Sequence, residues 1–332
     1  MSDPLPPRRF GRRAALAAAL AAPVMAPARA DQFPSRAFRL IVGVAAGASL
    51  DTLARGLARG LNEQFGVGAV VENQASGGGL TATLQVARAP ADGHTLLIAS
   101  DSLILSEALL PEPGYSSDRS FAPVTQAIRA AQILVTHPRS GIRSVQDYVD
   151  RVRAAPGTLN LGLPVWGGIA HVGSEILNRQ LGGLQVEYVP YRGGALTTID
   201  LLAGQLDAMI IILPAITEHV RQGRIVPLAV TTAQRDPTMP EVPTLAETVA
   251  PGYELDSWQG VLAPAGTPPT VIAQLHAAIA ASLAAGPVRD RLVDLGFEIV
   301  AALPAEFARR LSDQARTLNA AVREAGIRPE RS

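Results

Sequence analysis

At 332 residues the chain is long enough for two domains. Its residues are 48% apolar but only 4% aromatic, so Ala, Leu and Val must fill the core. The absence of Cys excludes a disulfide framework and a thiolate metal site, and all 29 basic residues are Arg, set against 29 Asp and Glu.

Residues 1–30 read as a signal peptide. Arg8, Arg9, Arg12 and Arg13 form a basic start, Ala14–Ala26 is an apolar run too short to span a membrane, and Ala28–Arg29–Ala30 is an A-x-A cleavage signal. A membrane-anchored N-terminal helix is the other reading of the same run, and the paired arginines leave Sec and twin-arginine export both open. Cleavage before Asp31 removes five Arg and one Asp, leaving 24 basic and 28 acidic residues and a net charge of −4. That balance argues against a nucleic-acid partner, which needs a basic face. Beyond the leader no apolar run reaches about 18 residues, so a soluble periplasmic protein is expected.

Strand and helix patterns then alternate. Leu40–Val44 reads as a strand and Leu50–Phe65 as a helix with Leu53, Leu57 and Leu61 on one face. Strands at Ala69–Val71 and Thr95–Ala99 flank a helix at Thr81–Arg88. Ile133–Thr136 opens a second series: helix Val145–Ala154, strand Leu159–Leu163, helix Ile169–Gln180, strand Val186–Val189, helix Ala195–Leu202. Strand Ala208–Leu213, helix Ile216–Gln222 and strand Ile225–Val230 follow. The last section, at Val271–Leu283, Val288–Leu295 and Pro304–Ala325, is helical. Repeated strand–helix units predict an α/β fold with parallel sheets. Pro123–Pro138 and Tyr253–Pro264 read as crossovers between two domains. The first then takes residues 31–125 and 260–332, the second takes 126–259, and a ligand lies between them at the carboxyl ends of strands.

Val186–Asp207 is the most informative stretch. A short strand meets Pro190, Tyr191 and Arg192, then Gly193–Gly194–Ala195, then a helix, then Gly204 and a new strand opened by Asp207. A strand, a Gly-rich turn and a helix point backbone N–H groups at an anion. Arg192 adds a full positive charge beside that turn, or is solvated. The signature VPY[KR]Gxx…DLLxGQxD resembles the substrate-binding receptors of tripartite tricarboxylate transporters, the Bug receptors. So do RLIVGVAAGASLDTLAR (Arg39–Arg55), VVENQASGGG (Val70–Gly79), ADGHTLLIAS (Ala91–Ser100), FAPVT (Phe121–Thr125), LAVTTAQRDPTMPEVPTLAE (Leu228–Glu247), PGYE (Pro251–Glu254) and LAPAGTPP (Leu262–Pro269), in the family's order.

The resemblance implies a two-domain type II periplasmic binding-protein fold with a ligand cleft between parallel-sheet domains, and three ligand loops. In the first, Val44–Asp51, family receptors carry Pro-Pro-Gly-Gly-x-x-Asp and grip a carboxylate through backbone amides and water. Gly47 and Asp51 match, whereas Ala45, Ala46 and Ala48 depart; Asp51 is open to a ligand role or a plain helix-cap role. In the second, Leu161–His171, Gly167 and His171 match, while Leu163, Trp166 and Gly168 stand where Ser, Asn and Ser or Thr are usual. His171 is open to ligand contact or to packing, and Trp166 to a cleft or a core. In the third, Arg192, Gly193 and Gly194 face the ligand. Asp207 opens the next strand, as a ligand group or a solvated one, and Ile211–Ile212 replace a polar pair before Leu213–Pro214.

No nucleophile elbow, Walker loop or close His spacing appears. Gly77–Gly78–Gly79 fails the dinucleotide spacing, and the five His show no metal-ligand spacing. No catalytic residue, metal or cofactor is expected. The expected ligand-binding set is Ala46, Gly47, Ala48, Asp51, Trp166, Gly167, Gly168, His171, Arg192, Gly193, Gly194 and Asp207. The resemblance implies a monomeric solute-binding receptor that captures a small organic carboxylate for membrane transporter subunits of the tripartite tricarboxylate type. The alternatives are a receptor serving a two-component sensor kinase and a periplasmic hydrolase. Apolar Leu163, Trp166 and Ile211 favour a carboxylate with an apolar or aromatic body over citrate or an amino acid.

Overall fold

A computed structural model describes residues Phe33–Pro329, so the expected leader and its cleavage signal lie outside the described residues. The chain divides after Ser35, and all elements below belong to the unit that begins at Arg36.

The first series is β1 (Phe38–Val42), α1 (Ser49–Phe65), β2 (Ala69–Asn73), α2 (Leu80–Ala87), β3 (Thr95–Ser100) and α3 (Ser102–Leu109). Leu50, Leu53, Leu57 and Leu61 recur at helical spacing and bury one face of α1. The second series follows the 16-residue strand β4 (Phe121–Thr136). It comprises α4 (Val145–Ala154), β5 (Asn160–Leu163), α5 (Ile169–Gln180), β6 (Glu187–Pro190), α6 (Gly194–Ala203), β7 (Ala208–Ile212), α7 (Thr217–Arg221), β8 (Val226–Val230) and α8 (Leu245–Thr248). Local chemistry sets the start of α4: Ser144 Oγ accepts from the Asp147 N–H at 3.1 Å and Asp147 Oδ2 accepts from the Ser144 N–H at 3.0 Å. β9 (Asp256–Pro264), α9 (Pro269–Ala284), α10 (Pro287–Asp294), β10 (Glu298–Ile299) and α11 (Pro304–Glu324) complete the chain.

The strand order is β2-β1-β3-β9-β4-β7-β5-β6, with β8 and β10 also paired to β4. β2, β1 and β3 are parallel, as are β7, β5 and β6. These parallel sets bear out the expected parallel sheets, and β4 and β9, which run antiparallel to their neighbours, join them. Both stretches read as crossovers in the sequence, and both are strands. β4 serves two sheets: its first part pairs with β9, its last five residues pair with β7, and its last four also pair with β8. The register slips beside Pro123, which has no N–H to give to a ladder. Along the end of β4 the pleat divides the core. Ile133 and Val135 pack with Met209, Ile211 and Val230, whereas Leu134 joins Leu161, Ala208 and Ile210 on the other side. Trp258 of β9 is fully buried, and its indole N–H donates to Gln314 of α11.

Candidate ligand-binding site

The carboxyl ends of β3, β5 and β7 open onto a cavity of about 940 Å³, within the range of small-molecule sites. α3 supplies Ser102, Leu105, Ser106 and Leu109. The loop after β5 supplies Pro164 to Gly168, and α5 adds Ile169 and Ala170. α6 contributes Gly194, Ala195, Thr198 and Ile199, and β7 contributes Ile211 and Ile212. Asp101, Gln132 and Ser257 form a polar patch in this lining. Among the described residues that line the cavity none is Arg, and the titratable ones are Asp101 and His219.

The second loop is built around His171. Its imidazole Nδ1 accepts from the Gly167 N–H at 3.0 Å, which requires that nitrogen to be unprotonated. The ring lies between Trp166, 4.3 Å away by centroid, and Tyr188 at 4.8 Å. Burial pushes the His171 pKa down to about 4, so the imidazole is neutral at pH 7 and acts as a fixed acceptor. Gly167 takes φ +70, and a Cβ there would come within 2.6 Å of Leu109 Cδ1. Trp166 lines the cavity half-buried, and its indole N–H donates to the Arg328 carbonyl at 2.9 Å. His171 itself is buried outside the lining, and it positions Trp166 and Gly167.

The third loop depends on Gly193, whose φ of 122° and ψ of 157° are open only to glycine. Its N–H donates to the Pro164 carbonyl at 2.7 Å, tying the third loop to the second. The first turns of α5 and α6 therefore sit side by side at the cavity wall, neither with a side-chain cap. Each presents backbone N–H groups and the positive end of a helix dipole. The Gly194 position is tight, because a Cβ there would meet Ile211 Cδ1 at 3.0 Å. Trp166, Gly167, Gly168 and Gly194 of the expected set thus line the cavity.

The rest of that set lies elsewhere. Arg192 is exposed and outside the lining, because the turn at Gly193 gives the wall to Gly194 and Ala195. Asp207 opens β7, whose far end carries Ile211 and Ile212; five residues of strand separate them by about 16 Å. Its carboxylate instead accepts from the Asn160 N–H at 2.9 Å. Ala46, Gly47 and Ala48 are exposed, and a smaller neighbouring pocket is lined by Val44 and Ala45 but not by them. Asp51 is buried beneath that loop. Its Oδ2 accepts from the Gly47 N–H and from Arg55 Nε, both at 2.9 Å, and its Oδ1 accepts from Asn73 Nδ2 at 2.9 Å. Burial alone would raise its pKa, but these donors together hold the carboxyl below the ordinary Asp range. Leu163 is wholly buried and adds nothing to the cavity wall, whereas Ile211 does.

Sequence reading missed the polar patch and α3 altogether. Asp101 is buried and lines the cavity, and burial raises its pKa to about 7 despite a Ser257 hydrogen bond, with Asp256 adding to the rise. Gln132 Nε2 donates to Ser257 Oγ at 2.8 Å. The polar triplet Ser100–Asp101–Ser102 after an apolar strand was the available signal, since an Asp between strand and helix is a start mark. The arrangement is suited to non-covalent capture: two helix starts for an anion, an apolar body, and a small polar patch.

The family model described as tripartite tricarboxylate transporter family receptor matches residues 53–327. The UPF0065 protein in the tcbD-tcbE intergenic region of Pseudomonas sp. (strain P51) is 36% identical over 299 residues, 89% of each chain. Protein BugT of Bordetella pertussis is 33% identical over 301 residues, covering 90% of this chain and 92% of BugT. An R. palustris protein solved with adipate superposes with a TM-score of 0.76 at 32% identity, covering 90% of this chain and 100% of that one. MatC from Rhodopseudomonas palustris with bound malate gives a TM-score of 0.73 at 28% identity, covering 87% and 100%. The motifs, the fold and these matches agree: the chain belongs to the tripartite tricarboxylate transporter receptor family, whose relatives include the Bug proteins.

Proposed function

We propose that this receptor captures a small organic carboxylate in the periplasm and delivers it to membrane subunits of a tripartite tricarboxylate-type transporter, acting as a monomer and without turning its ligand over. The observation that carries this reading is the pairing of the α5 and α6 helix starts at the wall of an apolar cavity without Arg among its described lining residues. Backbone N–H groups and helix dipoles then supply the neutralising field. Exclusion of water strengthens those contacts without a fixed cation. Solved relatives bound to adipate and malate support the ligand class.

In this reading the ligand sits between two domains, residues 31–125 with 260–332 and residues 126–259, and β4 and β9 are the segments that pass between them. Trp166, Ile199, Ile211 and Leu105 favour an aliphatic or aromatic body over a densely charged, polar one such as citrate. Calorimetry on the mature protein with hexanoate, benzoate, adipate, malate and citrate tests it, with mass spectrometry of the recovered ligand. Saturable binding of the less polar acids, recovered unchanged, is the expected result. No binding by any carboxylate, or chemical conversion of a bound one, would sink the reading.

A further inference from the structure

The cavity has a second pole that the carboxylate reading leaves unused. Asp101 sits at the junction of β3 and α3, 8% exposed, and forms part of the lining. Its surroundings are arranged as donors toward it. Gln132 Nε2 donates to Ser257 Oγ at 2.8 Å. The Ser257 hydroxyl and the Trp258 N–H in turn hydrogen-bond the Asp101 carboxyl. The relay from Gln132 through Ser257 ends on the Asp101 carboxyl and brings no positive charge to it.

The charge around Asp101 is uncompensated. The neighbouring carboxylate, Asp256, adds to the negative field and has its own partner in Arg310 of α11. No Arg lines the cavity among the described residues, and His219 is the one other titratable group in that lining. A second ligand carboxylate placed here would meet a like charge in a low-dielectric site. A hydroxyl would satisfy a lone pair but leave the charge. A protonated amine does both.

We propose that Asp101, backed by Ser257 and Gln132, is a cation-accepting subsite, and that the ligand is an amino-carboxylate with its carboxylate at the α5 and α6 starts, an apolar body, and a protonated amine against Asp101. This rests on the carboxylate reading above and narrows it to one chemical class. It departs from the sequence expectation of an acid without an amine, because Asp101 adds a polar pole that the apolar positions Trp166 and Ile211 do not show.

Matched ligands that differ only at the far end decide the matter. Calorimetry on the mature protein at pH 7 compares hexanoate, adipate and 6-aminohexanoate, then benzoate, terephthalate and 4-(aminomethyl)benzoate, and then shorter and longer aliphatic sets. In the best-fitting set the amine-tipped member should bind at least about tenfold tighter than its methyl- or carboxylate-tipped counterpart, the scale of a hydrogen bond to a charged group. Its binding enthalpy should vary with buffer ionisation in the sense of proton release, because the amine draws Asp101 into its charged form. Asp101→Asn should erase the preference, bringing the amine-tipped and plain members of each set to within about twofold of one another, and Ser257→Ala should reduce it severalfold. If Asp101→Asn does not fold, Ser257→Ala and the wild-type series decide. Tightest binding of the dicarboxylate with proton uptake, or no gain from the amine in any set, would overturn the subsite while leaving carboxylate capture standing. Failure of every acid to bind would overturn both.

Discussion

Asp51 lies in the first turn of α1 and Asp101 is the N-cap residue of α3, so each stands at a helix start that follows a strand, and each is buried. Their environments push them in opposite directions. Burial disfavours the charge of both, but Asp51 has Arg55, the Gly47 N–H and Asn73 at hydrogen-bond distance and ends below the ordinary Asp range. Asp101 has a hydroxyl and backbone groups, a nearby carboxyl in Asp256, and a pKa near 7. One carboxylate is satisfied by its own loop and holds the fold. The other is left short of positive charge and faces an open cavity. Burial alone therefore does not set the two apart; the number and charge of the donors around each carboxyl do.

The sharpest break of that comparison is Asp51→Ala. It strips acceptors from three donors and frees the first loop, so unfolding stability should drop by roughly 2–3 kcal/mol. Asp101→Asn should cost far less, because a neutral amide suits a site short of positive charge. Urea unfolding of the two variants checks the contrast, and equal losses would erase it.

Titration sharpens the same contrast with His171 as the reference. Folding lowers the His171 pKa from 6.5 to about 4, so the unfolded chain binds the extra proton and stability falls as pH drops from 6.5 toward 4. Folding raises Asp101 from 3.8 to about 7, so the folded chain binds the extra proton and stability falls as pH rises from 4 toward 7. In the wild type the two slopes oppose one another. Relative to wild type, Asp101→Asn should lose stability on acidification through this window and His171→Gln should lose it on alkalinisation. Each change should be of order 1 kcal/mol per pH unit. Parallel slopes in both variants would contradict the assigned environments.

Gly193→Val tests the link between the second and third loops. It forces a β-branched residue into a glycine-only conformation, at about 1–3 kcal/mol, and displaces the α6 start. Carboxylate affinity should fall with it, even at temperatures where the variant remains folded. The smallest effect belongs to Arg192→Ala. An exposed Arg outside the cavity should change affinity by less than about 0.5 kcal/mol, and calorimetry showing a loss of several kcal/mol would bring its guanidinium back to the ligand.

Much of this was legible from residue order. Helices α4, α5 and α11 begin where the pattern places them, because an apolar stripe and a start signal act within a few residues. The Gly-rich turn before α6 was readable for the same reason: glycine at an anion-binding helix start is a local requirement. β4 and β9 were harder, since an Ala-rich run interrupted by Pro123 carries no alternation, and their pairing depends on residues more than a hundred positions apart.

What residue order determined by itself, then, was the α/β class, the family, and the two helix starts that suit an anion, all set by short-range periodicity and turn chemistry. Only the tertiary structure decided which polar groups line the cavity. It turned Asp207 to the far end of its strand, left Arg192 in solvent, and spent Asp51 and His171 on their own loops. It also brought Asp101, Gln132 and Ser257 together from three distant segments. The physical reason is that a side chain's charge and role depend on burial and on which donors surround it, and both are fixed by contacts that no local pattern encodes.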